Sequence, residues 1–83
     1  MTVMTTPAQS LISNLFEGID RKGYDRNQFL DYGFGLACPS IQLSLGVIDG
    51  MYVLTYDSEI VRIGCEPIAI ALFFEELEYH YTD

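Results

Sequence analysis

Basic side chains are scarce in this chain. Four Lys and Arg stand against twelve Asp and Glu, giving a formal net charge of -8 over 83 residues. Such a surplus repels nucleic acid and anionic membrane surfaces and favours partners rich in Lys and Arg, so direct binding to nucleic acid or membrane is not expected. Histidine is rarer still, with His80 alone. Serine and cysteine nucleophiles need a base within hydrogen-bond reach, and one histidine near a helix end supplies it poorly, so no enzyme of that kind is expected. Long apolar runs are missing as well. No segment reaches the roughly 20 apolar residues of a membrane span, and the opening MTVMTTPAQS lacks the basic start and apolar run of a signal peptide. These absences predict a cytoplasmic protein. Cysteine is limited to Cys38 and Cys65, and no spacing signature supports a disulfide between them. Both are expected to be reduced, with Cys65 a small buried hydrophobe on the core face.

What is present is a large share of apolar residues, 49% of the chain. A chain of this length is expected to form a single domain, 1–83, with residues 1–5 as a flexible tail and one modest core. The apolar excess is expected to serve an oligomer or partner interface.

The most constrained stretch runs from Ser40 to Cys65. Asp49-Gly50 lies between two runs rich in Ile, Leu, Val, Tyr and Thr, the pattern of a hairpin whose two turn residues both take positive φ. With Ile48 opposite Met51, Val47 faces Tyr52, Leu45 faces Leu54 and Leu43 faces Tyr56, so one side is apolar throughout. A second turn at Asp57-Ser58 sets Tyr56 opposite Glu59, Leu54 opposite Val61 and Tyr52 opposite Ile63, extending that face into a third strand. The other side is mixed, and Arg62 and Gly64 fall there. A slip of one residue would reverse every side chain, which is why the register is so well determined.

Helices are predicted on both flanks. Thr6-Pro7 reads as a cap followed by proline at the first helical position, and Ala8, Leu11, Ile12, Leu15, Phe16 and Ile19 recur at helical spacing. Arg21 and Lys22 suit the negative end of the helix dipole and Gly23 suits a left-handed cap. Asp25 with Gln28 resembles a capping box and predicts a second, short helix carrying Phe29, Leu30 and Tyr32. Gly33 and Gly35 read as a bend, and Pro39 ends any helix. Glu66-Pro67 opens a last helix with Ile70, Phe73, Phe74, Leu77 and Tyr81 on one stripe; its first part, Pro67 to Phe74, has no polar side chain and is expected to be buried on most sides. The predicted fold is α+β, in the order α-α-β-β-β-α, with helices packed mainly on one face of a three-stranded antiparallel meander.

Constellations that carry chemistry are weak. Glu76 and His80 share a helical face, but two ligands make no recognisable zinc site, and no metal or cofactor is expected. Asp20 onward fails as a calcium loop, since Lys22 and Tyr24 stand where oxygen ligands belong. Gly33-Phe34-Gly35 has neither the preceding strand nor the Lys-Ser/Thr of a phosphate loop.

Two surfaces remain. Glu75, Glu76, Glu78, Tyr79 and Asp83 form an acidic, tyrosine-bearing helix end that suits a Lys/Arg-rich groove, with aromatic contact area that bare charge lacks. Ile48, Met51, Val53 and Ile60 are expected to cluster on the mixed face of the sheet as a secondary interface. The overall plan of a small acidic α+β chain without catalytic residues resembles phage-encoded inhibitors such as anti-CRISPR proteins and DNA mimics. That resemblance covers architecture and charge, with no residue motif. It implies a non-enzymatic module that occupies the basic, nucleic-acid-binding surface of a partner protein. The alternative expectation is a structural or chaperone-like homodimer that buries Ile68, Leu72 and the mixed sheet face against a second copy.

Overall fold

A computed structural model describes residues 6–81; the predicted tail at 1–5 and the predicted contact residue Asp83 lie outside them. Thr6 caps helix α1 (Pro7–Lys22) through a reciprocal box: its hydroxyl accepts from Gln9 N at 3.1 Å and the Gln9 side chain accepts from Thr6 N at 3.0 Å. Gly23 closes the helix in the left-handed region, φ 82°, with its N–H bonded to the carbonyls of Asp20 and Ile19. Leu11, Leu15 and Ile19 carry the buried face.

The predicted second helix does not form. The Asp25 carboxylate accepts from Asn27 N at 2.9 Å, which makes a tight local turn rather than a capping box, and only a 3-10 turn, Arg26–Gln28, follows. Phe29 then drops into the core and the chain extends as β1 (Leu30–Asp31). After a bend at Gly33 it returns as β2 (Gly35–Cys38). Gly35 is a strand residue because only glycine fits there: a Cβ would lie 2.0 Å from the Leu45 carbonyl oxygen. Pro39 begins a short 3-10 turn, Pro39–Ile41, rather than only ending a helix.

β3 (Leu43–Ile48), β4 (Met51–Tyr56) and β5 (Glu59–Ile63) form the predicted meander in the predicted register, from Ile48 opposite Met51 to Tyr52 opposite Ile63. Both turns have two residues at positive φ, Asp49-Gly50 and Asp57-Ser58. The sheet therefore has five antiparallel strands in the order β1-β2-β3-β4-β5, not three.

Helix α2 (Glu66–Tyr81) lies with α1 on one face of this sheet. Phe73 is wholly buried and packs tilted against Phe29, and perpendicular to Phe74. The apolar first half of α2 buries one side only. Ala69, Phe73 and Phe74 face inward, while Ile68 is 55% exposed, because among the described residues no further layer covers the helix. Cys65 does not take the buried place expected of it. Cys38 on β2 is buried, and Cys65 is exposed because β5 ends at Ile63 and the strand alternation stops before it; both thiols are free. Among the described residues no helix is long and apolar enough to cross a membrane.

Candidate functional site

Helix α2 is tied down along its length. At its start the Glu66 carboxylate accepts from Asn14 Nδ2 at 2.6 Å and from the Tyr52 hydroxyl at 2.9 Å. Near its end the Tyr56 hydroxyl and His80 Nε2 hydrogen-bond, and the Tyr81 hydroxyl lies 3.3 Å from Ser40 Oγ. Tyr52 and Tyr56 both belong to β4, so the helix follows that strand.

At 100° per residue, burying Ala69, Phe73 and Leu77 sends Glu78 toward α1 and sets Leu72 and Glu76 on the opposite flank, beside β4 and β5. Ile68, Glu75 and Tyr79 then point away from the sheet. Glu78 accordingly accepts from Lys22 Nζ at 2.9 Å. Glu75, Glu76, Tyr79 and Tyr56 line a shallow depression of about 330 Å³. Its lining holds no Lys or Arg. Tyr79 is the most exposed large side chain here, at 75%. Loss of hydration first, and then the charges of Glu76 and Asp57 and the nearby Tyr79, push the Tyr56 phenol above its ordinary pKa, so it remains a neutral hydroxyl at physiological pH.

Of the predicted contact set, the fold brings together Glu75, Glu76 and Tyr79. Glu78 sits on the other flank in its ion pair with Lys22, and Asp83 is outside the described residues. Tyr56 is the member the sequence did not single out. Its place on the core face follows from the register, but its arrival under His80 depends on the path of α2 across the sheet, which strand alternation does not encode. The basic residues between the first two predicted helices are not a free positive patch. Arg21 bridges Glu17 at 2.6 Å, Lys22 holds Glu78, and Arg26 grips both Asp20 oxygens at 2.8 and 2.9 Å. The Arg26 bond holds the Asp20 carboxyl below its ordinary range.

Arg21 and Lys22 also line a second depression, of about 280 Å³, between the helices; Glu17 and Phe74 share it, so its charge is mixed. Among the described residues no group of three or more His, Cys, Asp or Glu is placed to hold a metal.

The secondary set lies on the sheet face turned away from the helices. Ile48 and Ile60 are each 56% exposed, Met51 is exposed and Val53 half-buried. No second helix covers them. Instead β1 adds exposed Leu30 to the same face, and Tyr32 leans over Gly46, its hydroxyl reaching Ser44. Local spacing places both residues in a helix, which hides their part in this face. Comparison of the chain with family models, with curated proteins and with solved structures gives no match.

Proposed function

We propose that this chain is a non-enzymatic, acidic protein-binding module, acting in the cytoplasm as an inhibitor that occupies a Lys/Arg-rich, nucleic-acid-binding surface of a partner protein. The observation that carries the reading is the depression bounded by Glu75, Glu76, Tyr79 and Tyr56, which offers carboxylates and aromatic edges with no cation in its lining. The neighbouring carboxylates of Glu75 and Glu76 stand in for phosphates toward an Arg-rich groove, and the tyrosines add contact area at low entropic cost. The free thiols of Cys38 and Cys65 suit a reducing compartment.

The test is titration with a lysine-rich peptide at about 0.1 M and about 1 M salt, where the Debye length falls from roughly 10 to 3 Å. Binding is expected at low salt, to weaken steeply at high salt, and to be lost in the Glu75→Lys, Glu76→Lys double variant. Affinity indifferent to both would reduce the acidic flank to a solubilising surface.

A second reading rests on the open sheet face. Leu30, Ile48, Met51 and Ile60 are exposed together there, a surface suited to a structural homodimer. Light scattering at micromolar concentration separates the two readings, since a strict monomer ends this one.

A further inference from the structure

The two edges of the sheet are built differently. β1 exposes only Leu30 and Asp31, too short to template a partner. β5 presents five residues, Glu59–Ile63, in unbroken register with β4, with no proline, no bulge and, besides Glu59 at the turn, one charge, Arg62. Natural edges are usually blunted by one of these devices. A two-residue loop makes Tyr56 and Glu59 a hydrogen-bonded pair, so Val61 and Ile63 also bond to β4. Ile60 and Arg62 therefore aim their N–H and C=O groups at the open edge.

The helix side of this edge is not bare. Val61, 45% exposed, shares that side of the sheet with the flank of α2 carrying half-buried Leu72. Toward the Asp57-Ser58 turn the apolar strip gives way to carboxylates: Glu59 is opposite Tyr56, whose depression Glu75 and Glu76 line. Among the described residues the strip thus offers the outward backbone groups of Ile60 and Arg62, apolar contact at one end and negative charge at the other.

We propose that β5 is a strand-addition site for an extended, basic segment of a partner protein, which pairs antiparallel through Ile60 and Arg62. Side chains of that segment facing α2 are apolar beside Val61 and Leu72 and Lys or Arg beside Glu59 and Glu76. This rests on the acidic binding role proposed above and adds its geometry and the class of its ligand. Charge selects the occupant. A second copy paired through β5 would double the carboxylates on the helix side of the seam without adding a base there, whereas a basic segment neutralises them.

The test uses the full chain and a blocked eight-residue peptide with threonine at alternate positions, the remaining positions being lysine in one half and valine in the other. In the antiparallel arrangement the threonines oppose Ile60 and Arg62 and turn their N–H groups to β5, while lysine and valine turn theirs away. Binding is expected to shift the Ile60 and Arg62 amide resonances and slow their hydrogen exchange. N-methylation of the threonines removes the bridging donors and is expected to weaken binding about ten-fold or more. N-methylation of lysine and valine is expected to leave it unchanged.

Equal affinity of the two methylated peptides overturns strand addition; if Glu75→Lys with Glu76→Lys still abolishes binding, the acidic module survives without it. No binding by the parent peptide up to millimolar concentration also overturns the proposal. So does a dimeric mass in light scattering with Ile60 and Arg62 amides already protected in the absence of peptide, which would assign the edge to a second copy.

Discussion

Replacing Gly35 by alanine tests the pairing of β2 onto β3, which covers what would otherwise be a second long edge of the meander. A Cβ at position 35 would sit 2.0 Å from the Leu45 carbonyl oxygen, 2.4 Å from Gly46 Cα and 2.8 Å from the Leu45 carbonyl carbon. All three are far inside the roughly 3.5–4.0 Å optimum between non-bonded carbons. Every obstructing atom is backbone, so no rotamer change relieves the clash. The strands must separate by more than an ångström, or β2 must slip.

Overpacking costs typically about 1–3 kcal/mol, and backbone atoms that cannot yield place this variant at the upper end. A chain of this size is stable by about 4–12 kcal/mol, so a loss of about 3 kcal/mol leaves most variant molecules folded. It should lower the melting temperature by roughly 12–24 °C, at about 4–8 °C per kcal/mol. The assay is urea and thermal denaturation followed by circular dichroism, with Gly64→Ala as the control. Gly64 has nothing within 4 Å of its would-be Cβ, so that control should stay within about 0.5 kcal/mol of the parent. A Gly35→Ala protein that melts with its parent would refute the close approach of β2 to β3, and with it the five-stranded sheet.

Two further outcomes are expected. Ser58 holds φ 72° in the β4–β5 turn, a conformation that costs a side-chain-bearing residue about 1–2 kcal/mol, so Ser58→Gly should raise the urea midpoint by an amount worth about 1 kcal/mol, and no gain would contradict the left-handed turn. Asp20 is held below its ordinary pKa by the Arg26 hydrogen bond; stability from that pair is present above the unfolded carboxyl pKa of about 3.9 and is lost as pH falls through the lower folded value. An NMR titration of Asp20 should therefore move upward in Arg26→Gln, and an unmoved titration would remove Arg26 as the cause.

The meander was legible because turn chemistry and alternation agree: Asp49-Gly50 and Asp57-Ser58 are spaced so that only one register buries Leu43, Leu45, Leu54 and Ile63. Helix α1 was legible from Thr6, Pro7 and Gly23, whose roles are local. β1 and β2 were not, because their signals are non-local. Gly35 disfavours a strand by its own propensity, and only the backbone of β3 pressing against it explains its presence. Phe29 and Leu30 point to opposite sides in the fold, one into the core and one onto the open face, yet the pair reads equally well as part of a short helix. For the candidate site, Glu75, Glu76 and Tyr79 could be chosen from spacing alone. The turn of Glu78 toward Lys22 depended on where α1 lies, and the role of Tyr56 on where α2 crosses. Both are tertiary placements.

The ties that fasten α2 have a consequence for how any partner is met. Glu66 is held from α1 and β4, His80 from β4 and Tyr81 from the turn after β2, so both ends of the helix are fixed before a ligand arrives. A surface that is already ordered loses little conformational freedom on association. Its thermodynamic signature should be that of rigid docking, with a heat-capacity change set by the area covered and no added contribution from folding. Loosening one tie, as Tyr56→Phe would by deleting the hydroxyl that meets His80, should then weaken a partner's grip through entropy although no charge has changed.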